Sequence, residues 1–241
     1  MYFVANWKMY GNLSSLNTLD KVIKFSKSKE IKGGRLIYCP PNTLISSFSK
    51  KFNNCQIGIG GQNCHESKDY GAHTGHVNSR MLKNIGAHFV IIGHSENREQ
   101  GESDKLINLK IKSALEAKLK VIFCIGETLS EKRKKKTHLI LSKQIKIGLK
   151  NIKNKSNIFL AYEPVWAIGS GLIPKPQDLF ETVEFIKSKF KDKLPKVLYG
   201  GSVNPQNITI LRKINNIDGF LIGGASQNTK NFIDIVKKTF I

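Results

Sequence analysis

The chain has 241 residues, 40% of them hydrophobic, and 39 Lys and Arg stand against 18 Asp and Glu, a formal net charge of +21. That length and apolar content exclude a disordered chain and allow a full core. An α/β barrel of roughly 200–250 residues folds as a single domain, here residues 1–241. No apolar run approaches the roughly 18 residues of a membrane span. The opening MYFVANWKMYGN has no basic stretch followed by a long apolar one, so a chain without a leader, working in the cytoplasm, is expected.

Eight short apolar runs recur in chain order: 2–7, 35–39, 56–60, 89–92, 120–125, 158–162, 196–199 and 219–222. They are nearly continuous in apolar residues rather than alternating, as parallel strands buried on both faces require. Helical stripes lie between them. Ile107, Ile111, Ala114 and Leu115 keep one face of a helix, as do Leu179, Val183, Ile186 and Phe190; Phe232, Val236 and Phe240 mark a last one. The strand-to-strand spacing averages about 31 residues, close to one βαβ unit. Eight units and a final helix predict a (β/α)8 barrel, with an open doubly wound sheet as the alternative.

The charge comes almost wholly from lysine, since only Arg35, Arg80, Arg98, Arg133 and Arg212 are arginine. Such a balance raises nucleic acid or an anionic surface as partners. The dense run Lys132-Arg133-Lys134-Lys135-Lys136, however, has no aromatics between its charges, as a nucleic-acid site wants. It precedes the stripe Leu141, Ile145, Leu149 and Ile152 and reads as the basic start of an amphipathic helix. No nucleic-acid or membrane partner is expected. No pair among Cys39, Cys55, Cys64 and Cys124 has metal-like C-x2-C spacing, so no metal is expected either. Cys39 and Cys124 sit in apolar runs and read as buried thiols.

In a parallel barrel every strand ends on one face, and chemistry gathers there. Asn6 and Lys8 follow the first run; His94, Ser95 and Glu96 follow the fourth; Glu127 follows the fifth, which contains Cys124; Glu163 follows the sixth. Gly200-Gly201-Ser202 and Gly223-Gly224-Ala225-Ser226 follow the seventh and eighth. Two glycine pairs at neighbouring strand ends let backbone N–H groups approach a phosphate, with a helix start just beyond each adding its dipole. A helix start after His94 keeps its imidazole neutral. Glu163 is the plausible base, with Glu96 and Glu127 as supports.

These residues resemble one family. Asn6-Trp7-Lys8, Gly93-His94-Ser95-Glu96, Cys124-Ile125-Gly126-Glu127, AYEPVWAIGSG (161–171), Tyr199-Gly200-Gly201-Ser202 and Gly223-Gly224-Ala225-Ser226 are similar, in order and over the whole chain, to the motifs of the triosephosphate isomerases. The resemblance implies interconversion of dihydroxyacetone phosphate and glyceraldehyde 3-phosphate, without a cofactor. It carries over that family's established roles: Glu163 as base, neutral His94 as electrophile, and Lys8 stabilising negative charge, with Asn6 fixing Lys8 and helping to bind substrate. It further implies Gly169, Ser202, Gly223 and Gly224 as backbone donors to the phosphate, and Ser95, Glu96 and Cys124 as supports. Pro164, Val165, Trp166, Ala167, Ile168, Gly169, Ser170 and Gly171 would form a closing lid. A homodimer is implied, with Thr74 reaching the partner's site near Asn6. The chain departs from the family pattern at Ser170 (usually Thr), Asn97 (usually Arg) and His76 (usually Glu). The last two replace groups that can pair across the dimer interface, so a dimer without that ion pair is expected. Another phosphate-handling barrel, such as an indole- or ribulose-phosphate enzyme, would share the glycine pairs but need not have Lys8, His94, Glu163 and this lid.

Overall fold

A computed structural model describes residues 1–191 and 194–240. Eight parallel strands close into a barrel: β1 (Tyr2–Asn6), β2 (Arg35–Cys39), β3 (Gly58–Gly61), β4 (Phe89–Ile92), β5 (Lys120–Ile125), β6 (Ile158–Tyr162), β7 (Lys196–Tyr199) and β8 (Gly219–Ile222). Each strand pairs with the next, and β8 returns to β1 with Tyr2 opposite Gly219 and Ala5 opposite Ile222. The architecture is the (β/α)8 barrel rather than the open sheet, because that last pairing leaves no sheet edge.

Apolar side chains fill both sides of the wall. Val4, Ile37, Ile91, Ile122, Phe159, Leu198 and Leu221 pack inside the barrel. Their neighbours Phe3, Leu36, Tyr38, Val90, Val121, Leu160 and Phe220 point outward, into the layer shared with the helices. That double burial is why the strands read as continuous apolar runs.

The outer ring comprises α1 (Leu19–Ser26), α2 (Ile45–Lys51), α3 (Ser79–Asn84), α4 (Ser95–Glu99), α5 (Asp104–Glu116), α6 (Leu129–Arg133), α7 (Thr137–Gly148), α8 (Pro176–Lys187), α9 (Ile208–Leu211) and α10 (Thr229–Thr239). Ser103 caps α5 through the Leu106 N–H, and Thr128 with Glu131 forms a reciprocal cap on α6. Among the described residues no helix is long and apolar enough to cross a membrane.

Three local expectations change. β1 stops at Asn6 rather than at residue 7, because Lys8 takes a left-handed turn at φ +53°. β3 begins at Gly58, not at residue 56, and contains three glycines. A methyl on Gly60 would lie 2.7 Å from Cys39 Sγ, and one on Gly61 2.8 Å from Leu82, so these positions leave no room for a side chain. The basic run is not the start of α7: Lys132 and Arg133 end α6, and Lys135 at φ +55° breaks the helix before α7 begins.

Candidate active site

The C-terminal ends of β1, β4, β6, β7 and β8 surround a cavity of about 300 Å³. Asn6, Lys8, His94, Glu163, Gly169, Ser202, Gly223 and Gly224 line it, so the structure brings together the residues that follow these strands in sequence.

Lys8 is placed by a backbone device. Asn6 is buried, and its Oδ1 accepts the Lys8 N–H at 3.0 Å, which supports a conformation that costs a non-glycine residue about 1–3 kcal/mol. Gln62 completes the clamp by donating to the carbonyls of Lys8 and Cys39, both at 2.8 Å. The Lys8 ammonium reaches Glu96 at 2.5 Å, and its stem lies over Gly223, where an added methyl would meet Cε at 3.3 Å. Gln62 directly follows β3, so the rule applied to the other strand ends points to it as well, although the sequence reading passes it over.

His94 caps α4. Its Nδ1 accepts the Glu96 N–H at 3.3 Å, so this nitrogen carries no proton and Nε2 is the one that does. The Glu96 carboxylate comes no closer than 3.5 Å to Nδ1, while its other oxygen holds Lys8. Nε2 faces Glu163 Oε1 at 3.3 Å, and Glu163 Oε2 accepts the Ser95 N–H at 3.3 Å. Glu163 is 2% exposed. Beside it, burial first and then the Glu163 charge hold the Cys124 thiol well above its ordinary range, so it stays a thiol.

Backbone packing holds the Glu163 side chain in place. A methyl on Gly200 would sit 2.8 Å from Glu163 Cγ. Gly200→Ala is therefore expected to push a flexible side chain aside, lowering kcat about tenfold or more while Tm changes by only a few degrees; steady-state rates beside a thermal melt check this.

The floor of the cavity differs from the sequence expectation. No α-helix starts directly after either glycine pair. Gly224–Ser226 is a single 3-10 turn, and α9 begins six residues beyond Ser202. The Gly223 and Gly224 amides have no acceptor among the described residues, whereas the Ser202 N–H donates to Ala167 O at 3.1 Å.

Residues 164–171, the expected lid, contain a 3-10 turn, Val165–Ala167, followed by Gly169 and Gly171 at φ +66° and +75°. Trp166 Nε1 donates to Glu127 Oε1 at 3.0 Å, and the Tyr162 hydroxyl donates to the same buried carboxylate at 3.2 Å. Burial raises the Glu127 pKa even though these donors act to lower it. Lys132 of the basic run lies 3.4 Å from the centre of the Trp166 ring, so this lysine packs on that indole rather than standing on a solvated face. Ser170 Oγ donates to Trp166 O and accepts the Leu172 N–H, both at 3.2 Å. Trp166→Phe removes a donor from a buried carboxylate, and a loss of about 1–2 kcal/mol is expected from urea unfolding.

Two further side chains tie the strand ends to the helices. Arg98 donates to Gly93 O, Cys124 O and Asp104, tying the ends of β4 and β5 to α5. Gln144 of α7 holds both the N–H and the carbonyl of Gly126.

Comparison with known proteins agrees with this geometry. The family model for triosephosphate isomerase matches residues 1–239. The triosephosphate isomerase of Thermodesulfovibrio yellowstonii is 40% identical over 245 residues, covering 98% of each chain. The chain belongs to the triosephosphate isomerase family. The enzyme of that name from Dictyoglomus thermophilum is 41% identical over 244 residues, 97% of each chain. A crystal structure of triosephosphate isomerase from Bartonella henselae superposes with a TM-score of 0.88 at 36% identity, covering 97% of this chain and 96% of that one.

Proposed function

We infer that the chain is an intramolecular aldose–ketose isomerase that interconverts dihydroxyacetone phosphate and glyceraldehyde 3-phosphate. The observation that carries the reading is the meeting of a buried carboxylate, a histidine with its proton on the cavity side, and an ammonium over glycine amides that have no acceptor among the described residues.

A substrate phosphate on the Gly223 and Gly224 amides puts the carbonyl near His94 and Lys8. The Nε2 proton then turns from Glu163 to the carbonyl oxygen. Glu163 takes the proton from the adjacent carbon, leaving an enediolate whose charge Lys8 and His94 stabilise. His94 moves protons between the two oxygens, and Glu163 returns its proton to the neighbouring carbon. Lid residues 164–171 exclude water while the enediolate exists. A coupled assay for dihydroxyacetone phosphate formation from glyceraldehyde 3-phosphate tests the reading; absence of turnover in folded protein overturns it.

The same reading makes the chain a cytoplasmic homodimer. Thr74 stands on the exposed stretch 71–76, free to reach a partner. Beside Lys8 and Glu96 an open cavity of about 280 Å³, bounded by Pro41, Asn42, Asn63 and Asn97, supports an incoming loop. With Asn97 and His76 at the positions usually charged, both members of the cross-interface pair are replaced, which costs less than leaving one buried charge alone. Sedimentation at micromolar protein is expected to give a dimer, and monomer alone overturns it.

A further inference from the structure

A larger concavity opens at the opposite end of the barrel, where the strands begin. Its volume is about 910 Å³, against about 300 Å³ for the catalytic cavity. Lys120 and Lys196 are the first residues of β5 and β7; the other walls come from Tyr2, residues 153–159, 189–191 and 194–195. Lys120, Lys153, Lys155, Lys189, Lys191 and Lys196 line it, and the described lining residues include no carboxylate. Among the described residues only Lys196 of these six has an ion-pair partner, Asp218 at 3.0 Å. The ammoniums of Lys120 and Lys189 lie over the rings of Phe89 and Phe185, at 5.4 and 4.0 Å. Tyr2 and Phe159 pack edge to face on the apolar wall, their ring centres 4.9 Å apart. The positive field reaches the chain start: burial and then Lys196 lower the pKa of the Met1 amino group, with Asp218 opposing.

Like charges gathered around one concavity repel one another, and the cleft focuses an attractive field on anions. A single carboxylate would offset little of this, whereas an anion with several charges within a few ångströms offsets much of it. The cations are all lysine. Lysine binds phosphate as a point charge with rotatable donors, while planar bidentate recognition of a carboxylate favours arginine. The volume is that of a small-molecule site, roughly 300–1,000 Å³, not a track for a polymer. We propose that this cleft binds an oligophosphate anion, free or carried by a nucleoside whose base rests on the Tyr2–Phe159 wall. The proposal is independent of the isomerase reading, since the two cavities lie at opposite ends of the barrel.

The test is calorimetric titration of the full chain with inorganic tripolyphosphate, ATP, orthophosphate and a single-stranded oligonucleotide, at low and moderate salt. Lys153→Glu/Lys155→Glu is compared with Lys21→Glu/Lys24→Glu, which changes the net charge equally on the exposed face of α1. Tripolyphosphate and ATP are expected to bind the wild type at least tenfold more tightly than orthophosphate. The cleft pair should weaken them tenfold or more, the α1 pair less than twofold, and isomerase turnover should be unchanged in both. ATP binding more tightly than tripolyphosphate assigns the nucleoside-borne form; equal affinity assigns the free form. Equal weakening by both pairs reduces the effect to overall charge and overturns the proposal. So does binding that survives the cleft substitutions and competes with triose phosphate, or cleft-dependent binding of the oligonucleotide alone.

Discussion

Glu163→Gln should lower kcat by about 10²–10⁴-fold, the usual contribution of a positioned base. The amide is close in shape to the carboxylate, so the cavity keeps its form. Its oxygen can still accept the Ser95 N–H, but its NH2 then meets the protonated Nε2 of His94, where Oε1 now stands at 3.3 Å. That donor–donor contact is worth about 1 kcal/mol, or a fall in Tm of about 2–4 °C for a chain of this size. The two effects separate: a large loss of rate beside a small loss of stability. Exchange of solvent deuterium into dihydroxyacetone phosphate should fall with kcat, because both need the same proton abstraction. Full turnover in the variant would remove Glu163 from the chemistry.

Gly126→Ala should have the largest effect on stability. The new methyl would lie 1.8 Å from the Glu163 carbonyl oxygen and 2.6 Å from its carbonyl carbon. Both are backbone atoms, and the Glu163 N–H is itself bonded to Ile125 O at 2.7 Å. Gly126 cannot retreat, because Gln144 holds its N–H at 2.9 Å and its carbonyl at 3.0 Å. Overpacking in a core costs about 1–3 kcal/mol, and a clash between two fixed backbones belongs at or above the top of that range. A loss of about 3 kcal/mol or more is expected from denaturant unfolding, equivalent to roughly 6–12 °C in Tm. Activity should fall too, since Glu163 directly follows β6. A variant that melts within 2 °C of the parent would show that the two strand ends can part freely.

The strands were the most legible part of the chain. Runs such as 89–92 and 158–162 coincide with β4 and β6 because residues on both faces are buried and therefore apolar. β3 was less legible, since Gly58, Gly60 and Gly61 make room for Phe89, Cys39 and Leu82 and leave only Ile59 as an apolar signal. Helical stripes ran past their helices at Ile152, Phe190 and Phe240, which pack against the core from outside helical backbone. At the barrel mouth, the strand-end rule picked out Lys8, His94 and Glu163, which line one cavity. It could not find the contact from Trp166 to Glu127, or from Arg98 to Cys124, because sequence spacing says nothing about which loops meet across the mouth.

Ser202 has one hydroxyl proton, and Ala167 already holds it. Oγ donates to Ala167 O at 2.6 Å and accepts the Gly171 N–H at 3.1 Å. A phosphate oxygen arriving beside Ser202 can gain that proton only if Ala167 gives it up. The affinity of any phosphate for this hydroxyl is therefore a difference between two bonds, one formed and one released. The 164–171 segment and any such ligand would be linked by proton stoichiometry through this one hydroxyl.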